Sequence, residues 1–103
     1  MQNTQKFVHS VYFWLRRDLT EEQLAAFRDG LNSLLTVESV HQGYVGIPAA
    51  TDRPIIDRTY DYGLVLVFQS AQDHDRYQEH PTHDRFREQF GTFWLRVQIY
   101  DMI

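Results

Sequence analysis

Two histidines and a tyrosine surround a proline in the segment from Tyr77 to Phe86, and their spacing could support acid–base chemistry. Proline fits the first position of a helix, where its missing N–H would have had no partner. Pro81 therefore predicts a helix start, with His80 as the cap and His83 in the first turn. Burial and the positive end of the helix macrodipole both disfavour an imidazolium at that position. We predict that His83 is neutral near pH 7 and can accept a proton.

Each of these side chains also has a structural explanation. The ring nitrogens of His83 could fix the turn between two helices, whereas in a reaction Tyr77 could polarise a carbonyl group beside it. Capping alone explains His80. A metal site built from His80, His83 and Asp84 would need a further ligand from elsewhere, and no glycine-rich phosphate loop supports a flavin. We therefore predict neither a metal nor another cofactor.

The composition limits the class of protein. The chain has 103 residues, which suits one compact domain with a single core. A net charge of -4 with scattered Lys and Arg argues against a nucleic-acid partner, and the absence of cysteine excludes disulfides and a thiolate nucleophile. No apolar run approaches the roughly 18 residues of a membrane span, and the first six residues lack the apolar core of a signal peptide. These features predict a cytoplasmic protein with no membrane partner.

The periodicity of apolar residues predicts the elements that would position the candidate side chains. Residues 6–15 alternate as a strand, in which His9 is the one polar group on the more apolar face. Thr20 begins a capping box and a long amphipathic helix that ends near residue 35. The other predicted elements are strands at 37–47, 60–69 and 92–103 and short helices at about 71–78 and 81–90.

This order, β-α-β-β-α-β with one short extra helix, is typical of the ferredoxin-like α+β fold, whose helices cover one face of a four-stranded antiparallel sheet. Strand alternation places six apolar or aromatic side chains on the other, open face: Tyr12, Trp14, Val65, Val67, Trp94 and Tyr100. Such a patch should not remain in water. We predict a homodimer in which two sheets form a closed α/β barrel. Its predicted interface residues are Trp14, Trp94, Tyr12 and Tyr100.

The chain resembles the stress-responsive dimeric α/β-barrel (Dabb) family over its whole length, residues 1–103. The segments that carry the resemblance are VHSV at 8–11, YDYGLVLVF at 60–68, YQEHPTH at 77–83 and VQIYD at 97–101. The resemblance implies the dimer and the fold predicted above. Most members have no assigned reaction. The resemblance therefore implies a stress-responsive or small-molecule-binding homodimer with an apolar pocket, and no particular reaction.

At the pocket positions the sequence is similar to a plant polyketide cyclase of this family. That resemblance implies a general base at His83, catalytic assistance from Tyr77 and His9, and a ligand contact from Tyr62, where the cyclase has a histidine. We predict a further ligand contact from His80. The alternative function is therefore a cofactor-independent cyclase or lyase that acts on a small apolar, carbonyl-bearing ligand. Either function predicts a cavity of roughly 300 Å³ or more between sheet and helices. The expected lining residues are His9, Tyr62, Tyr77 and His83.

Overall fold

The computed structural model describes residues 5–103, which have the predicted ferredoxin-like α+β fold. The described chain contains four strands and three helices: β1 (Phe7–Leu15), α1 (Glu21–Leu34), β2 (Gln42–Gly46), β3 (Tyr62–Phe68), α2 (Ala71–Gln78), α3 (Pro81–Phe90) and β4 (Trp94–Met102). All strand pairs are antiparallel, and the order across the sheet is β2-β3-β1-β4. The strand predicted to be central, β3, is one of the two inner strands. No helix in residues 5–103 has both the length and the apolarity needed to cross a bilayer.

Short-range side-chain contacts set the starts of the first two helices. The Thr20 hydroxyl accepts a hydrogen bond from the backbone N–H of Gln23, and the Gln23 side chain accepts one from the N–H of Thr20. This reciprocal pair is the predicted capping box. At α2 the Ser70 hydroxyl accepts a hydrogen bond from the N–H of Asp73 at 3.2 Å. Both predicted helix starts are confirmed.

The core lies between the helices and one face of the sheet. Every second residue of β1 from His9 to Leu15 is buried there, as strand alternation requires. The ring of Phe27 on α1 is fully buried at the centre of an aromatic cluster that includes Phe13 and Phe86. His9 is the one polar residue among the buried side chains of the described chain. A buried polar group needs a hydrogen-bond partner, so the surroundings of His9 must supply one.

The alternation of inward and outward side chains predicted for the last strand is wrong at its first residue, Trp94. Trp14 pairs with Arg96, but the next residue of β1, Leu15, pairs with Trp94. Leu95 is therefore an extra residue on β4, and it is 69% exposed. A β-bulge of this kind inverts the side chains beyond it.

Because of the bulge, Trp94 lies on the helix-covered face and not on the open face. Its ring centroid lies 5.3 Å from that of Phe13 and 6.0 Å from that of Phe86. We therefore correct the predicted placement of Trp94 and remove it from the candidate interface. The Arg96 guanidinium instead lies over the Trp14 ring on the open face, 4.2 Å from its centroid.

The other predicted open-face residues lie away from the helices. We define the open sheet face as Tyr12, Trp14, Val65, Val67 and Tyr100, together with the polar Arg96 and Gln98 of β4. The Tyr12 ring packs edge-on against those of Tyr60 and Tyr100, with centroids 5.0 Å and 6.3 Å away. The loss of Trp94 makes this surface more polar than the sequence predicted, but its centre is still aromatic.

Candidate functional site

A cavity of about 450 Å³ lies between the sheet and the helices, and His9, Tyr77 and His83 all line it. These three side chains come from β1, α2 and α3. Most of the other lining side chains, Trp94 among them, are apolar, and Arg87 contributes a cation. The volume lies in the range of known small-molecule sites. The structure thus brings together the three residues predicted to act on a ligand.

His9 is held by Asp101. The two residues lie directly opposite each other in the pairing of β1 with β4. The Nδ1 atom of His9 lies 2.5 Å from Oδ1 of Asp101, and the ring is buried whereas the carboxylate is 39% exposed. A carboxylate at Nδ1 favours the tautomer that carries its proton there. Nε2 of His9 is therefore the ring nitrogen available to the cavity.

His83 has an unusual environment. Its Nδ1 atom is buried and makes no hydrogen bond with any described residue. Burial lowers the pKa of His83 from its ordinary value, and the Arg87 guanidinium acts in the same direction, while Asp84 acts against them. The Gln78 backbone also raises this pKa, although it does not reach hydrogen-bonding geometry with Nδ1. These contacts favour a neutral ring, with burial as the main cause.

Tyr77 lies between the two histidines and is 1% exposed. Its ring centroid lies 6.0 Å from that of His9 and 4.9 Å from that of His83. Burial raises the pKa of the Tyr77 phenol well above its ordinary value. The hydroxyl therefore remains protonated at neutral pH and can donate a hydrogen bond to an oxygen atom.

Residues 7–103 match the family model of the stress responsive A/B barrel domain, which is also called Dabb. The chain belongs to this family. No curated protein matches the sequence closely enough to count as a relative. The resemblance recognised in the sequence is thereby confirmed for the Dabb family, and the likeness of the pocket positions to a polyketide cyclase stays a prediction.

Solved structures support the same fold. The Dabb chain is similar to a Dabb family protein from Mesorhizobium loti with a ferredoxin-like fold (TM-score 0.76, 21% identity, 95% of each chain covered). It is also similar to a dimeric ferredoxin-like protein of unknown function from Thermobifida fusca (TM-score 0.76, 16% identity, 94% of this chain and 89% of that one covered). A third similar structure is hydroxynitrile lyase from Passiflora edulis (TM-score 0.81, 14% identity, 98% of this chain and 94% of that one covered). At these identities the similarity establishes the fold.

The structure does not bring Tyr62 and His80 into the cavity of the Dabb domain. Tyr62, the first residue of β3, lies beneath α1, and its ring centroid is 5.7 Å from that of Phe27. His80 caps α3, since its Nδ1 accepts a hydrogen bond from the N–H of Thr82 at 3.0 Å. Its Nε2 lies 3.2 Å from Oε1 of Glu38. The predicted capping role of His80 is confirmed, and neither residue lines the cavity.

Two residues beside the cavity were missed in the sequence, Asp101 and His74. The His74 ring stacks on that of Phe7, with centroids 4.2 Å apart, and lies 4.9 Å from the His9 ring. Burial lowers the pKa of His74, and charge on His9 acts in the same direction. The three-residue spacing of His74 and Tyr77 could have indicated a shared helix face. Asp101 could not be found in this way, because its contact with His9 depends on the β1–β4 register.

Proposed function

We propose that this Dabb domain forms a homodimer and that each subunit binds a small, largely apolar molecule bearing a carbonyl or weakly acidic group. The observation that carries this proposal is the convergence of His9, Tyr77 and His83 on one apolar cavity of about 450 Å³. A few polar groups in an apolar cavity fix the orientation of a ligand, while the walls supply most of the buried area.

The donors and acceptors in the cavity suit a carbonyl or a weak acid. Tyr77 keeps its proton and can donate to a carbonyl oxygen. Arg87 also lines the cavity and would attract a partly ionised group. His83, held neutral, can accept a hydrogen bond from an acidic O–H or C–H. The proposed ligand therefore has its polar end near α3 and its apolar part against the sheet.

The open sheet face supports the homodimer. It presents aromatic rings around Tyr12 that a second copy of the chain would cover. The similar structure from Thermobifida fusca is described as dimeric. Facing sheets would close the barrel and leave each cavity on the helix side of its own subunit. The interface and the ligand site are then separate surfaces.

Ligand binding can be tested by NMR with a panel of small ketones and the matching alcohols. We expect ketones to shift resonances of the cavity residues and to bind about 2- to 12-fold more weakly to Tyr77→Phe, the range expected for one lost hydrogen bond. The matched control is Tyr44→Phe, because Tyr44 is 73% exposed and lies outside the cavity. Shifts confined to residues outside the cavity, or equal losses in both variants, would contradict the proposal.

A second candidate function is a cofactor-independent lyase or cyclase. One feature favours it, the lowered pKa of His83 together with its buried Nδ1 atom; a hydroxynitrile lyase shares the fold. Because Nδ1 is buried, we assign Nε2 as the base that takes a proton from the carbon beside a carbonyl. The electron pair of that C–H bond forms a C=C bond and the π pair of the carbonyl moves to its oxygen, where the Tyr77 hydroxyl would stabilise the enolate. His83 then returns the proton to the product.

Deuterium exchange distinguishes this enzyme from a binding protein. A ketone that shifts cavity resonances is incubated in D₂O with the wild type and with His83→Gln, and exchange at its α-carbon is followed. Exchange with the wild type that falls at least about 100-fold in the variant, the lower end of the usual contribution of a general base, supports the enzyme. Binding without exchange supports the binding protein alone.

A further inference from the structure

Three side chains of the types that bind transition metals meet beside the cavity: His9 on β1, His74 on α2 and Asp101 on β4. One nitrogen or carboxylate oxygen from each lies within 4.8 Å of the other two. The proposed ligand site needs neither His74 nor direct contact with Asp101. The cluster is therefore a feature that the function proposed above does not explain.

The fold holds this cluster in place from three directions. The antiparallel pairing of β1 with β4 puts His9 directly opposite Asp101. The stack of His74 on Phe7 fixes the plane of the His74 ring. The side chains of His9 and His74 are only 5% and 12% exposed, so neither ring moves freely in solvent. Side chains restrained in this way lose little entropy when they bind a ligand.

We propose that His9, His74 and Asp101 form a binding site for a divalent transition-metal ion of the Zn²⁺ type. Two imidazoles and one carboxylate form a ligand set found in zinc enzymes and in non-haem iron enzymes. Mg²⁺ and Ca²⁺ prefer oxygen ligands and suit the set poorly. Three protein ligands leave a coordination position for water or for a small molecule.

Metal binding requires modest side-chain movement. Metal–ligand bonds of about 2.0–2.2 Å place tetrahedral ligand atoms about 3.3–3.6 Å apart. The contact of 2.5 Å between His9 and Asp101 must therefore lengthen, while the widest separation, which reaches up to 4.8 Å, must shorten. Asp101 can accommodate the first change, because its carboxylate is 39% exposed and β4 is an edge strand of the sheet.

Metal binding would also move a proton. If the ion takes Nδ1 of His9, the proton shared with Asp101 must move to Nε2, because a protonated nitrogen cannot coordinate and the ligand is neutral imidazole. With the proton on Nε2, His9 would present a donor to the cavity instead of an acceptor. Metal binding beside the cavity would thus change which ligands the cavity prefers.

Calorimetric titration with ZnCl₂ tests the site in protein first treated with a chelator and placed in a buffer that does not bind metals. We expect one Zn²⁺ per chain in the wild type. His74→Gln should weaken binding at least about tenfold, the lower limit seen even for residues that only support a ligand. His41→Gln is the matched control, because His41 is exposed and lies outside the cluster. It should leave affinity and stoichiometry unchanged.

A second variant and a second ion keep the test decisive. If His74→Gln loses its cooperative thermal transition, Asp101→Asn replaces it, since the exposed carboxylate can be exchanged with less disturbance of the core. Co²⁺ should give the intense visible bands of a tetrahedral site in the wild type and not in the cluster variant. Absence of Zn²⁺ binding, binding that neither cluster variant weakens, or binding lost in His41→Gln would overturn the proposal.

Discussion

Acidification should destabilise the protein through His83. Burial, followed by the Arg87 guanidinium, lowers the pKa of this ring in the folded chain. In the unfolded chain the ring returns to its ordinary pKa of about 6.5. Below that value the unfolded chain binds more protons than the folded chain, so the free energy of unfolding falls as the pH falls. The contribution of His83 is complete above about pH 6.5 and is lost between the unfolded and the folded pKa.

The size of the effect follows from proton counting. One extra proton in the unfolded chain changes the free energy of unfolding by at most about 1.4 kcal/mol per pH unit. The pKa of His74 is also lowered, again first by burial, so the two rings together give at most about 2.7 kcal/mol per pH unit. The lowered carboxyl pKa values, such as that of Glu38, matter only at lower pH. The carboxyl contributions to stability are lost only as the pH drops below about 4.5. The histidine effect, which begins near pH 6.5, can therefore be measured separately from the carboxyl effect.

Urea denaturation of the wild type and of His83→Gln at about pH 8, 7, 6 and 5 measures this dependence. We expect a shallower pH dependence in the variant, by up to about 1.4 kcal/mol per pH unit below pH 6.5. His74→Gln should cause a similar reduction, and the double variant should approach the sum. An NMR titration that gives His83 a pKa above about 6.5, or equal slopes for wild type and variant, would refute the neutral ring and the base mechanism with it.

Three further outcomes test the core, the interface and the cavity wall. Phe27→Ala should lower the free energy of unfolding by about 3–5 kcal/mol in urea denaturation, because the ring is fully buried. The change Ile55→Ala at an 82% exposed side chain should have almost no effect. Tyr12→Glu on the open sheet face should yield monomers or aggregates in sedimentation experiments, and an unchanged dimer would show that another surface forms the interface. Trp94→Ala should lower stability and admit bulkier ketones in the NMR assay, whereas an unchanged ligand range would mean that Trp94 does not bound the occupied space.

The helix starts could be predicted from the sequence because each depends on residues close together in the chain. The capping box joins Thr20 to Gln23, and the start of α3 needs only His80 and Pro81. The placement of His9 on the buried face also followed from alternation alone. These features do not depend on how the strands are ordered in the sheet. They can therefore be predicted correctly from local sequence alone.

The missed features depend on strand register, which is set by contacts between distant parts of the chain. His9 and Asp101 are 92 positions apart, and only the pairing of β1 with β4 brings them together. The bulge at Leu95 is also a property of the strand pair, since β4 alone reads as a regular alternation. The Trp94 error and the unassigned role of Asp101 therefore have the same cause.

The register of β4 links the fold to the site. From Arg96 to Met102 the pairing with β1 is regular, so Asp101 faces the helices at the position opposite His9. With an unbroken register, Leu95 would face the helices opposite Leu15, and Trp94 would turn to the open face. The bulge inverts Trp94 without moving Asp101, because it precedes the regular segment. One extra residue thus adds a large aromatic wall to the cavity and removes a large ring from the surface that a second copy would cover.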